Sequence, residues 1–232
     1  MKALAVCAVL VLAGCAPTSR AYFEEHAQDK DYAVRIWQAR LPSPLWWAAV
    51  HCIVEVRTPE MPPGPGETWE VWQHAHRDEE RGESTHVMKS LGTFRGGVGG
   101  GEPTLVSEWH GEPAKRAIEW MRRHAPTYQA RERYLAWPGP NSNTFVADLL
   151  RDCPDVSVDL PPTAIGKDHV GLLRAQRTTT GLGVQLDLLS FVGFQVGLTD
   201  GVEVHLLGTA LGVAFWPPAF KLPGVGRVGF QQ

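Results

Sequence analysis

Residues 183–214 leave this chain the least freedom. "GVQLDLLSF", "GFQVGL", "VEVHLLG" and "LGVAF" alternate apolar with polar or small residues, and Thr199-Asp200-Gly201 separates the middle pair. A period of two gives a strand two unlike faces, whereas a helix would scatter the same residues around its circumference. Asp-Gly between alternating runs signals a hairpin. The expectation is a glycine-rich antiparallel β-meander of three or four strands over residues 169–232, with 194–198 paired to 202–206. Val202, Val204 and Leu206 are expected on its buried face, and Glu203 and His205 on its exposed face. The final "FKLPGVGRVGF" is expected to pack over that sheet or close it.

Residues 31–168 mix strands and helices. Ala33, Arg35, Trp37 and Ala39 alternate, and "WWAAVHCIVEVR" is β-branched, aromatic and bounded by Pro44 and Pro59. "TWEVWQHAH" reads as the returning strand and "TLVSEW" as a further one, with the charge run 77–84 a solvated loop or hairpin tip. "RGGVGGGEP" lacks the Gly-Lys-Ser/Thr ending of a phosphate loop, so it reads as a connection. "EPAKRAIEWMRRHA" has Pro near its start and Arg and His near its end, and Ile118, Met121 and Ala125 share a core face. Phe145, Ala147, Leu149 and Leu150 mark a second helix that stops before Pro154, and 154–167 reads as loop. The class is α+β.

The N-terminus has its own logic. Lys2 precedes an apolar run, residues 3–13, too short for a stable membrane span and typical of a secretory signal. Lys2 is the only charge before Cys15, so cleavage there shifts the formal charge from −3 to −4. That mild acidity argues against a nucleic-acid partner. Residues 16–30 are polar and small and read as a tether. Cys52 and Cys153 remain in the body, where an oxidising compartment permits a disulfide, and spacing leaves open whether they meet.

The candidate chemistry sits in "AWPGPNSNTFVADLL". Asn141, Ser142 and Asn143 are preferred N-caps, which makes a structural role the bland reading of Ser142. The sharper reading makes Ser142 a nucleophile in the positive potential of a helix start. It needs a base, and His51 lies on the strongest strand. On the returning strand Glu70, His74 and His76 are polar. Backbone N–H groups of Asn143 and Thr144 would hold an oxyanion, and Asn141, Asn143 and Thr144 would line a substrate. His74 and His76 lie two apart, but no Cys-x-x-Cys or His-Glu-x-x-His accompanies them, so neither a metal nor a cofactor is expected.

Three resemblances add to this reading. Leu12-Ala13-Gly14-Cys15 resembles the lipobox of bacterial lipoproteins, which implies a lipidated Cys15 carrying palmitate-type chains as a membrane anchor. Ala16, rather than Asp, follows it, which in that family implies the outer membrane, facing the periplasm. "NSNTFV" resembles the nucleophile-helix motif of circularly permuted papain-like proteins, the NlpC-like peptidases and the lecithin:retinol acyltransferase type. That resemblance implies a permuted papain-like sheet with packed helices, with Ser142 at the nucleophile position, where the family has Cys, and His51 at the base. It also implies that one of the polar residues of the returning strand, Glu70, His74 or His76, orients His51. The chain as a whole resembles an uncharacterised family of bacterial lipoproteins through "WPGPNSNTFV", "AIGKDH" and "FKLPGVGRVG". Two functions compete: an envelope hydrolase or acyltransferase acting on cell-wall peptides or lipid esters, and a non-catalytic envelope binding or scaffold protein. The Ser at a thiolate position favours the second. The oligomeric state is left open.

Overall fold

Two antiparallel sheets and three α-helices make an α+β architecture among the described residues of the computed structural model, which are 16–26, 30–45, 48–91, 101–169 and 172–230. The lipobox with Cys15, Trp46, Trp47 and most of the glycine cluster lie outside them.

The first sheet joins β1 (Ala33–Arg40), β2 (Val50–Arg57), β3 (Glu67–Asp78), β4 (Glu83–Leu91) and β5 (Thr104–His110) in the order β4-β3-β2-β1-β5. Strand β2 is buried along its whole length, as its β-branched composition suits. Val50, Cys52, Val54 and Val56 turn one way, into the main core beneath α2 (Gly111–His124) and α3 (Ser142–Arg151). Ile53 turns the other way, against Trp37 and Tyr22. Glu55 shares that second face. Its carboxylate accepts from Arg35 Nη1 at 3.2 Å, Trp37 Nε1 at 2.9 Å and the Gly66 N–H at 2.8 Å, so the charge is buried but satisfied. The charge run is the β3–β4 hairpin tip.

The described part of the segment read as a tether is held against the first sheet. Residues 17–19 bond to the start of β5, and Ser19–Glu25 forms α1. Tyr22 holds the segment down: it is buried, packs edge-on to Trp37, donates to Glu108 and accepts from Arg35 Nε at 3.1 Å. Phe23 packs beside it against Trp37, so two adjacent aromatics dock the segment. Cys52 and Cys153 are both free and buried, and burial pushes each thiol up to about 12.

The second sheet runs β6 (Leu173–Arg177), β7 (Gly183–Leu188), β8 (Val192–Gly197), β9 (Gly201–Leu206), β10 (Thr209–Ala214), β11 (Ala219–Leu222) and β12 (Gly226–Gly229), each antiparallel to the next. There are seven strands where three or four were expected, and the final segment extends the sheet instead of covering it. Val196 faces Val202 and Phe194 faces Val204 across a turn where Gly201 has φ +78°. A Cβ at Gly201 would collide with the Val213 carbonyl, so only glycine fits.

The facing of this sheet is the reverse of the expectation. Glu203 and His205 are 0% and 3% exposed, while Val204 is 51% exposed. Alternation defines two faces and does not say which one is covered. Here the polar face lies against residues 159–168 and the end of α3, which supply charges complementary to it.

Candidate functional site

The start of α3 is fixed by side chains whose bonding capacity is nearly exhausted. Asn141 is the N-cap. Its Oδ1 accepts from the backbone N–H of Asn143 at 2.9 Å and of Thr144 at 3.2 Å. Its Nδ2 donates to the carbonyls of Ala136 and Ile165. Thr144 Oγ1 closes the capping box on the Asn141 N–H and donates to the Gly166 carbonyl at 2.6 Å. Gly166 has φ +92°, and a Cβ there would overlap the Asn141 carboxamide.

Asn143 ties this helix start to β2. Strand β3 pairs with β2 only over residues 54–56, which leaves the β2 edge open at Val50 and Cys52. Asn143 fills the gap as a strand would: Oδ1 accepts from the Cys52 N–H at 2.9 Å, and Nδ2 donates to the Val50 carbonyl at 2.8 Å. The Val50 N–H donates to the Thr163 carbonyl. The Val50 N–H and carbonyl and the Cys52 N–H on that stretch of edge are thereby satisfied, as buried polar groups must be.

His51 lies between those two anchored residues, but its ring leaves from the other face. Cys52 points into the core with α3, so by alternation His51 projects on the side of Ile53 and Glu55. There its Nε2 meets Glu70 Oε2 at 3.0 Å, with both side chains buried, and Trp72 stands beside the ring. Of the candidate partners, the structure brings Glu70 to His51. His74 is exposed, and a register irregularity in β3 between Val71 and His76 breaks the alternation that would align it. Ser142 is buried as the first residue of α3, and among the described residues no hydrogen bond joins it to His51. The side chains of Asn141, Asn143 and Thr144, expected to line a substrate, are engaged internally. One groove of about 260 Å³ is lined by Trp120, Tyr128, Asp148 and Arg174 among others, with neither His51 nor Ser142 in it.

A second constellation escaped the sequence reading. Lys167 Nζ lies 2.6 Å from Glu203 and 3.1 Å from Asp168, and Lys221 Nζ lies 2.6 Å from both Glu203 and Asp159. His205 Nδ1 contacts Asp187 Oδ1 at 2.7 Å, and Gln185 links Asp187 to Asp168. Burial works against charge on His205, but Asp168, Asp187 and Glu203 outweigh it and lift the imidazole to about 9. Burial would raise Glu203, and Lys167 instead holds it well below the usual carboxylate range. Asp159 is pushed up to about 6 by burial, against the pull of Lys221. Asp168, Glu203 and His205 offer ligand atoms within 4.8 Å of one another, a spacing a cation can use. The Lys167 ammonium already contacts both of those carboxylates, so the protein supplies the positive charge itself. The signal was present in "AIGKDH" and in the in-phase Gln185, Asp187, Gln195, Glu203 and His205, whose regular spacing suggested a solvated face.

A family model described as Protein of unknown function (DUF3750) matches residues 31–169. No curated protein and no solved structure matches the chain.

Proposed function

The chain belongs to the family described as Protein of unknown function (DUF3750), and for it we propose a non-catalytic role, as a lipid-anchored cell-envelope protein that keeps a permuted papain-like core as a scaffold. The observation that carries this reading is the engagement of Asn141 Oδ1 with the N–H groups of Asn143 and Thr144. Those are the donors an oxyanion would need, and they are taken by a neutral cap. The His51 ring, on the face opposite α3, is paired with Glu70 instead of Ser142. A hydroxyl without a base within reach is a poor nucleophile.

The permuted papain-like part of the proposal draws on chain order, with the histidine strand before the nucleophile helix, and on the Asn143 bridge that joins them. The anchor and the outer-membrane, periplasm-facing location draw on Leu12-Ala13-Gly14-Cys15-Ala16. The competing reading, a serine hydrolase or acyltransferase, draws on the buried His51–Glu70 pair, which has the form of a base and its orienting acid.

Turnover separates the two. The wild-type chain, Ser142→Ala and Ser142→Cys are compared on cell-wall peptides and on lipid esters. The expected result is no turnover by the wild type or the alanine variant. Wild-type turnover that disappears in Ser142→Ala would overturn the non-catalytic reading.

A further inference from the structure

We propose that the outward face of the second sheet, together with its turns, inserts into the acyl region of one leaflet of a lipid bilayer. The sheet is inside out. Its inward positions hold the Lys167–Glu203–Lys221 network, and its outward positions include Leu186, Phe194, Val196, Val204, Leu211 and Val213, all exposed. Strands β7, β8 and β9 put apolar residues outward and polar residues or glycine inward, the pattern of strands that meet lipid. Among the described outward positions Arg177, on edge strand β6, is the sole charge.

Size alone does not choose the occupant. Seven strands at about 4.8 Å spacing and about 20 Å length give a face of roughly 600 Å² in projection. That exceeds the few hundred Å² a monomer ordinarily leaves bare, and it approaches the ~800 Å² each partner gives to a stable protein interface.

The turns decide. At one end of the sheet Leu182, Leu198 and Trp216 are exposed, and at the other Leu189, Leu207 and Val225. Asp200 is the one acid in these turns; it is buried and bonded to Thr178 and Thr180. Leu189 and Leu207 have φ +56° and +53°, positions that hairpin turns in water give to Asn, Asp or Gly. A second copy stacked on this sheet would cover its face and leave both rows of tips in water. A lipid leaflet covers face and tips together. Strands of six residues or fewer are too short to cross a bilayer, which takes about 9–11 residues, so the sheet enters one leaflet without spanning.

The test uses the full chain with Cys15→Ser, so that no acyl anchor contributes, and neutral palmitoyl-oleoyl phosphatidylcholine vesicles in a flotation assay. This chain is expected to float with the vesicles at low and high salt alike, because the face is uncharged apart from Arg177. Adding Phe194→Glu and Val204→Glu is expected to lower the bound fraction at least about tenfold, as charge at a lipid-facing position does. Both side chains lie in solvent, so an unchanged circular dichroism spectrum and melting temperature should certify the fold. Brominated lipid is expected to quench wild-type fluorescence, and Trp216→Phe to remove part of that quenching. Absence of flotation, or flotation unaltered by the two glutamates with Trp216 unquenched, would overturn the proposal. Self-association that the same glutamates abolish, without vesicle binding, would assign the face to a second copy and overturn it equally.

Discussion

At the scale of single residues, Asn141 explains why the helix start carries an Asn-Ser-Asn-Thr run. Its oxygen closes the helix, its amide reaches two loop carbonyls, and Gly166 leaves it the room. Asn141→Ala is expected to lower stability by about 1–2 kcal/mol for the cap, with a further loss from the Ala136 and Ile165 carbonyls left unpaired. Chemical denaturation checks it, and a change within error would mean that the cap is replaced by water at no cost. Ser142 was legible as a helix-start residue, but Asn141, not Ser142, makes the cap bonds. Sequence cannot choose between them, because all four residues of the run are good caps and only the Gly166 contact discriminates. The Asn143 bridge to β2 was illegible for a similar reason, since it depends on β3 leaving β2 at residue 54.

At the scale of elements, strands such as β2 and helices such as α2 were readable because β-branched runs, prolines and terminal charges act locally. The facing of the second sheet was not. Val202, Glu203, Val204 and His205 alternate equally well whichever face is covered, and hydrophobic burial was the natural default. The turn residues Leu198 and Leu207 were the clue, being apolar where a solvated hairpin is polar. The buried charge layer makes the junction between sheet and core pH-sensitive. His205 has a folded pKa of about 9 against an ordinary 6.5, so its contribution is fully present below pH 6.5 and is lost as pH rises through about 9. The full contribution is on the order of 3 kcal/mol by linkage. Unfolding free energy is therefore expected to fall between pH 6.5 and 9, and His205→Gln to flatten that slope whatever it does to absolute stability. An unchanged slope in the variant would place the titration elsewhere.

At the scale of the whole molecule, an α+β core with a satisfied helix start carries a sheet whose charged face is sealed against it and whose apolar face is bare. The central claim is that the α3 start is closed to chemistry, and a thiol placed there reads this directly. In a chain with Cys7 and Cys15 changed to serine, Ser142→Cys is alkylated with iodoacetamide across pH, against a background kept low by Cys52 and Cys153, both pushed up to about 12. The expected result is slow alkylation that rises only above about pH 8.5, the ordinary thiol range, and that is indifferent to His51→Asn. A thiolate already reactive near pH 6, with that reactivity lost in His51→Asn, would reveal a working ion pair and contradict the account.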